Sequence, residues 1–445
     1  MRSRLFPTTV GVLLLAAVPL TSAHATDGHF LFGVGAVNAA MGGAGVAAPP
    51  DVLAALYVNP AGLVAFEGTR VDIGFEMFKA DRSVASSAGP MRGETRSTSS
   101  VVPIPAFGFS TPVAGGRAAV GLAALGIGGF GVNYAADPNN PILAPRPFGF
   151  GQVASNFQLL KIAPGLAVAV SDKLSVGLAA NIDWASLIVD PFPAAPPAVD
   201  AGPDGVPRTQ DDRAFYSTAM ASDGAFGAGF QLGLIYKALP AVSLGASYTS
   251  VQRFRDFEYN STFANPNLPN FGMPRQIRFA LDVPAVYSGG IAVRPIPELV
   301  LAGDVRRITY ASTRGFRDSG FRPDGSVAGF GWRDITVIAA GAELAVTPRA
   351  RVRAGYNYSG NPVPDSLAML NVQAPAIVQH HASVGAGFQV TPVMGVHVGY
   401  YRAFRNSITG AMLTPSGAVP GTSVTSSLSE NSVLVQFSIA TPAAR

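Results

Sequence analysis

About fourteen segments of this chain alternate apolar with small or polar residues at a period of two, and the connections between them alternate strictly between short and long. Residues 175–184 put Val176, Leu178, Ala180, Ile182 and Trp184 on one face, and Ser175, Gly177, Ala179, Asn181 and Asp183 on the other. Residues 351–358 divide Val352, Ala354, Tyr356 and Tyr358 from Arg351, Arg353, Gly355 and Asn357 in the same way. Residues 432–440 divide Val433, Val435, Phe437 and Ile439 from Leu434, Gln436 and Ser438. Successive side chains of a strand point to opposite faces, so each segment reads as a strand with one apolar face and one face of small or polar groups. The segments centre near residues 74, 106, 123, 162, 180, 230, 248, 285, 304, 340, 355, 385, 401 and 435. Short turns fall at 113–116, 171–173, 238–241, 295–298, 347–350 and 391–394. Long loops fall near 81–99, 132–152, 190–222, 258–274, 314–330, 361–377 and 409–428. A soluble sandwich also alternates, but nothing in it sorts loops by length. Short turns at one end and long loops at the other are the pattern of an outer-membrane barrel. The expected fold is therefore all-β: a transmembrane antiparallel β-barrel of about 14 strands, with both termini on the short-turn side.

Composition agrees. The 445 residues include only 13% charged ones, where a soluble domain has about 25%, and the mean hydropathy is +0.30. Yet beyond the N-terminus no run of about 18 apolar residues appears, so the apolar content is not packaged in membrane helices. Aromatics near strand ends (Phe75, Phe78, Tyr134, Tyr236, Tyr248, Phe257, Tyr400 and Tyr401) are placed to form interfacial girdles. Arg2 and Arg4, an apolar stretch over residues 10–20 and Ala23-His24-Ala25 make a secretory signal, with cleavage expected after Ala25. Loss of Arg2 and Arg4, the only charged residues in 1–25, lowers the formal charge from +4 to +2. A near-neutral exported chain gives no reason to invoke nucleic acid. With no Cys, disulfides play no part and stability has to come from a large closed structure.

Residues 27–63 stand apart. They are rich in Gly and Ala and nearly free of charge, and they end on Asn59-Pro60-Ala61 just before the first strand. Side chains this small cannot build a core alone, and the composition is not that of a disordered segment. The stretch reads as a plug that needs a container. The expected domains are a signal peptide over 1–25, an N-terminal hatch over 26–66 and a barrel over 67–445.

The hatch carries Gly33-Val34-Gly35 and Met41-Gly42-Gly43-Ala44-Gly45, followed by Asn59-Pro60-Ala61. Further along come Asp282-Val283-Pro284-Ala285, Trp332-Arg333-Asp334, Gly341-Ala342-Glu343, Arg353-Ala354-Gly355-Tyr356-Asn357-Tyr358 and Pro362-Val363-Pro364. This ordered set resembles the FadL/TodX family of outer-membrane transporters for long-chain fatty acids and other hydrophobic compounds. In one respect the chain departs from it: family members commonly end on an aromatic residue that serves barrel assembly, whereas here Phe437 and Ile439 are followed by residues 441–445. The resemblance implies a fourteen-stranded barrel holding the N-terminal segment as a hatch, a loop-borne capture groove, a deeper apolar pocket and an inward kink of the third strand. It implies as partners a hydrophobic small molecule, outer-membrane lipid and the barrel-assembly machinery, with the chain acting as a monomer in the outer membrane. The third strand holds Gly126, Gly128 and Gly129, and clustered Gly marks bulges and bends. Apolar loop residues Phe192 and Phe215, then Phe263, Leu268 and Phe271, supply a capture groove, and Phe30 and Phe32 of the hatch are candidate contacts below it. A fatty-acid carboxylate needs a cation to offset its desolvation. Arg306, Arg353 and Arg402, read as inner-face residues, are the candidates, each also fit for a lumen ion pair. The alternative cargo is an uncharged aromatic hydrocarbon.

Other chemistries have less support. His380 and His381 are adjacent on one strand and so face opposite sides, and no Gly-x-Ser-x-Gly elbow accompanies them, so no enzymatic activity is expected. Porins line a wet constriction with charge, and no such cluster occurs. Asp200, Asp204, Asp211 and Asp212 have oxygen-rich spacing but miss the EF-hand register, so that loop reads as solvated, not as a calcium site. No metal, cofactor or nucleotide-binding loop is expected, and transport is read as passive.

Overall fold

The computed structural model describes residues 27–99, 101–202, 213–220 and 224–441. The proposed signal segment and most of the acidic stretch, including Asp204, Asp211 and Asp212, lie outside the described residues.

Fourteen antiparallel strands close into a ring. They are β1 (Arg70–Ala88), β2 (Val102–Val113), β3 (Ala118–Tyr134), β4 (Val153–Ala169), β5 (Leu174–Asp190), β6 (Ala225–Leu239) and β7 (Val242–Thr249). The second half comprises β8 (Val286–Ile296), β9 (Leu299–Ile308), β10 (Ile335–Ala345), β11 (Ala350–Ser359), β12 (His380–Gln389), β13 (Met394–Gly410) and β14 (Thr422–Ala440). Each strand pairs with its sequence neighbours, and β14 returns to β1 in register from Arg70↔Ala440 to Ala88↔Thr422. Closure matters because lipid offers no partner to an unpaired backbone group. The six short turns stand where the alternation placed them. The seventh long loop is shorter than expected, since β13 runs to Gly410 and β14 starts at Thr422. β1 likewise continues outward, where it pairs with a strand over Met91–Arg96.

The faces sort as the alternation requires. Val176, Leu178, Ile182, Val352, Val433 and Phe437 are exposed on the outer wall, while Asn181, Asp183, Arg353, Asn357 and Gln436 are buried within. Of the girdle candidates, Phe75, Tyr236 and Tyr400 are exposed on the outer wall. The expectation fails for Tyr134, Phe257 and Tyr401, which are 0%, 0% and 1% exposed. Strand aromatics serve the interior as readily as the interface: Tyr401 donates to Glu76 Oε1 at 2.7 Å inside the ring. Phe78 packs beside Tyr401 and hatch Phe32.

Residues 27–66 occupy the lumen. The segment forms α1 (Gly35–Ala40), α2 (Val52–Val58) and a 3₁₀ turn over Pro60–Ala65. Asp51 caps α2 by accepting from Ala54 N at 2.7 Å. Asn59 ends α2 and caps the next turn, accepting from Ala61 N at 3.1 Å, while Pro60 takes the first turn, where its missing N–H costs nothing. Helices this short are not stable alone; the barrel holds them from every side. Leu31 N donates to Ile127 O on β3 at 2.9 Å, and Val52 N to Asp72 on β1 at 3.0 Å. Gly45 N donates to Asp304 on β9 at 2.8 Å, and Gly42 N to Ser383 on β12 at 3.2 Å. Asn59 Nδ2 donates to Val46 O at 2.7 Å and to Leu234 O on β6 at 3.1 Å. Close approach explains the small residues on the inner wall: a Cβ on Gly355 would overlap the backbone of Gly42.

Arg306 on β9 adds a charged tie. Its guanidinium is buried, pairs with hatch Asp27 at 3.2 Å and with Asp304 at 3.6 Å, and donates to the carbonyls of Phe32 and Gly43. Removing one partner of a buried charge network costs about 3–5 kcal/mol. Arg306→Met should therefore raise hydrogen exchange of amides 27–46 selectively, while heat-modifiability shows an intact barrel. Unchanged protection of those amides would show that the hatch is held by other contacts.

Candidate functional site

At the long-loop end a recess opens between the loops, lined by Phe130, Leu187, Val189, Phe192, Phe279 and Phe330 among others. Its rings meet edge to face: Phe192 and Phe279 centroids lie 5.5 Å apart, and Phe130 and Phe330 5.8 Å. Such a surface binds apolar matter and offers almost no hydrogen bonds.

Below it stands an aromatic septum. Phe330 stacks on Phe316 at 5.4 Å, and Phe316 stacks on hatch His29 at 5.2 Å. His29 in turn stacks on Phe30 at 4.4 Å. The Tyr310 hydroxyl holds this end of the hatch, lying 2.9 Å from His29 Nδ1, accepting from His29 N at 3.1 Å and donating to Asp27 O at 3.2 Å. Gly28 lies against the Tyr310 ring at φ +68°, leaving no room for a side chain. Burial pushes the His29 imidazole down to about 3, so it is neutral. Burial pushes the Asp27 carboxyl up to about 6, against the pull of Arg306.

Beneath the septum lies a small inner pocket, where Phe30, Tyr57, Val58, Ile127 and Ile308 meet Asp27, Lys161, Gln231 and Arg306. Lys161 is 2% exposed on β4. Its ammonium donates to Gln231 Oε1 at 3.3 Å, and Gln231 is fixed by donating to Tyr57 O at 3.1 Å. Asp183 stands opposite Lys161 in register, but with the Gln252 amide turned toward it, Asp183 accepts from that amide.

The pocket abuts a break in the wall. β2 and β3 pair from Val113↔Ala118 to Ala106↔Leu125 and no further. There β3 bulges, its pairing with β4 slipping between Gly126 and Gly128. Its inner edge turns to the hatch: Ile127 O accepts from Leu31 N at 2.9 Å, and Gly129 N donates to His29 O at 2.8 Å. A Cβ on Gly129 would strike Phe157 O, and one on Gly128 the hatch backbone. The seam closes again where Thr98 N donates to Asn133 O at 2.8 Å. Pro103 and Pro105 lie on the β2 side of the gap, and Pro belongs on strand edges because it cannot donate.

The residues named from sequence divide accordingly. Phe192 lines the recess. Phe215 is buried in a short strand over Arg213–Phe215, Phe263 lies under the Arg275 guanidinium at 5.1 Å, Leu268 is half-buried and Phe271 is exposed. None of these four lines the recess; apolar content alone did not say which loop side chains turn inward. Phe30 and Arg306 line the inner pocket, while Phe32 packs on Tyr401 away from it, at 4.7 Å. Arg353 is bound to Glu343 at 2.7 Å. Arg402 does not face the lumen: buried Tyr401 and Ala403 flank it, so it points outward. Phe130, Phe279, Phe330 and Lys161 were missed. A lysine within Leu159-Leu160-Lys161-Ile162 was the available signal for the last. Among the described residues no group of side chains could hold a metal ion.

A closed barrel with an apolar outer wall, a filled lumen, an aromatic recess and an inner pocket beside a gap in that wall defines an outer-membrane transporter of hydrophobic compounds. The chain belongs to the family of outer membrane protein transport proteins (OMPP1/FadL/TodX), which it matches over residues 17–434. Its fold is similar to the Pseudomonas putida toluene transporter TodX, with 19% identity, a TM-score of 0.70, and 92% of this chain and 99% of that chain covered. It is also similar to a Pseudomonas aeruginosa FadL homologue, with 18% identity, a TM-score of 0.71, and coverage of 93% and 99%. The Ralstonia pickettii toluene transporter TbuX shares 21% identity, a TM-score of 0.63, and coverage of 92% and 98%. No curated protein matches the chain in sequence.

His29 gives the hatch a pH dependence of known sign. Free imidazole binds a proton near 6.5, whereas the docked one resists to about 3, so docking weakens as pH falls through that window. Asp27 runs the other way, its contribution present below about 3.8 and lost as pH rises toward about 6. Exchange of amides 28–32, compared at equal pH, should accelerate on acidification more in the native protein than in His29→Phe. Parallel behaviour of the two would remove His29 from the account.

Proposed function

We propose that the protein takes up amphipathic hydrophobic compounds of the long-chain fatty acid class, passively and as a monomer. The observation that carries this reading is the Lys161 ammonium, buried in the inner pocket beside Asp183, with one long bond to the neutral Gln231 amide. A carboxylate would complete it, and the alkyl chain would lie along Phe30 and Ile127. Capture begins in the aromatic recess, since apolar burial yields about 25 cal/mol per Å². Release needs a second state that binds less well, and the Gly-rich hatch beside the pocket is the element to supply it. The gap between β2 and β3 is the exit. A single chain closes the ring by itself, which supports a monomer inserted by the barrel-assembly machinery.

The second reading, uptake of aromatic hydrocarbons, is favoured by the phenylalanine-lined recess and by the likeness in fold to toluene transporters. Uptake by cells separates the two. A hydrogen bond to a charged group is worth about 1.5–3 kcal/mol, so Lys161→Met should lower uptake of a labelled fatty acid roughly ten- to a hundredfold and leave labelled toluene unaffected. If the native protein moves only toluene, the fatty-acid reading is wrong.

The exit is tested by stapling it. A Cβ on Gly126 would lie 3.8 Å from Ile104 Cβ, the usual separation across a disulfide, in a chain with no Cys of its own. Ile104→Cys with Gly126→Cys should block uptake when oxidised and restore it on reduction. Full uptake with the bridge formed would exclude the lateral route.

A further inference from the structure

Arg402, displaced from the lumen, belongs to an outward row. Below it the outer wall is apolar on three adjacent strands: Phe75 and Met77 on β1, Val433 and Phe437 on β14, Val398 and Tyr400 on β13, all exposed. At one level all three turn polar. Lys79 pairs in register with Asn431, and Asn431 with Arg402, so the three stand side by side at about 4.8 Å per strand. Val71 to Lys79 is nine residues, within the roughly 9–11 that a tilted strand needs to cross the bilayer. The row therefore sits at the outer rim of the membrane.

Above the row the same face stays cationic. Arg405 is exposed where β13 slips register between Ala403 and Asn406. Arg92 and Arg96 are exposed on the strand that extends β1, opposite Ser87 and Ser83. Two carboxylates share this face: Asp81, 3.4 Å from Lys79, and Glu94, 3.9 Å from Arg405, each pair about half exposed. Ion pairs that open hold little. The Arg402 guanidinium instead donates to the neutral Asn431 Oδ1 at 2.7 Å, an oxygen that also accepts from Tyr400 at 3.0 Å. Among the described residues no carboxylate pairs with Arg402.

We propose that the outer face of β13, β14 and β1 is a binding site for a phosphorylated, multiply acylated glycolipid of the outer leaflet. The geometry sets the pose. A phosphate sits on Arg402 and Lys79, anionic groups further out meet Arg405, Arg92 and Arg96, and acyl chains run down over Met77, Val433 and Tyr400. Five cations against two loosely held carboxylates supply the charge complementarity, and the apolar strip directly beneath selects an acylated ligand over a free anion. The site is separate from the uptake path, which lies inside the ring.

Native mass spectrometry of the purified barrel in detergent tests this with four probes: diphosphoryl lipid A, its dephosphorylated form, phosphatidylglycerol and inorganic phosphate. Diphosphoryl lipid A should be retained at least about tenfold more strongly than any of the other three. A cation at a membrane surface contributes roughly fivefold to anionic lipid binding, so Arg402→Gln with Lys79→Gln should weaken retention about 25-fold. Heat-modifiability and hydrophobic-compound uptake should not change. Should that variant fail to fold, Arg92→Gln with Arg96→Gln, beyond the apolar band, should weaken retention on its own. Equal retention of the dephosphorylated form, equal retention of phosphatidylglycerol, or full retention by folded variants of both kinds would each overturn the proposal.

Discussion

A fourteen-strand ring encloses more space than its inward side chains can fill, and the structure is arranged around that excess. The hatch fills it in two ways: Val52, Leu53, Leu56 and Leu63 pack on Ala and Gly of the wall, and its Gly-rich stretches bring backbone directly against the strands. Where backbone meets wall, hydrogen bonds supply the fit. Asp304 receives two successive hatch amides, Asp72 a third, and Asn59 bridges hatch and wall. The inner polar residues of the barrel are thus not a wet channel lining. They are the partners that a buried irregular segment needs for its own N–H and C=O groups.

The same rule explains the break at β3. Beyond Leu125 this strand abandons β2, which in lipid would leave a row of unmet backbone groups. Hatch residues 29–31 take the place of the missing strand, meeting Ile127 and Gly129 on the inner side. Pro103 and Pro105 remove two donors from the edge left behind. The gap is tolerable because the hatch is present, so wall and plug are one hydrogen-bonded system at the proposed exit.

Much of the fold could be read from the chain because a barrel repeats one instruction. The alternation of residues 175–184 or 432–440 assigns each side chain to lipid or lumen, and loop length assigns each end. The site was less legible. Gly126, Gly128 and Gly129 announced a bend, since only a missing Cβ admits the hatch backbone there. The loop aromatics gave no such clue: Phe192 turns into the recess and Phe271 into solvent, although both lie among apolar neighbours. Arg402 was misplaced by a reading that sought a cation for the lumen, although Tyr401 beside it takes the inward direction to reach Glu76. Charge on a barrel wall is informative only once the register is known.

The hatch is held unevenly. Its C-terminal end is anchored by Asn59 to backbone groups of β6 and β7, contacts that do not depend on charge. Its N-terminal end rests on Tyr310, on Arg306 and on a neutral histidine wedged between Phe30 and Phe316. These are few, specific and mutually dependent: the ion pair of Arg306 with Asp27 positions the turn that presents His29 to the Tyr310 hydroxyl. Regions held by a small number of coupled contacts open at lower free energy than regions held by many independent ones. The end that opens first is the end that separates the aromatic recess from the inner pocket and completes β3. Weak attachment therefore coincides with two places on the proposed uptake path, whereas the firm attachment lies at the short-turn end, beyond both.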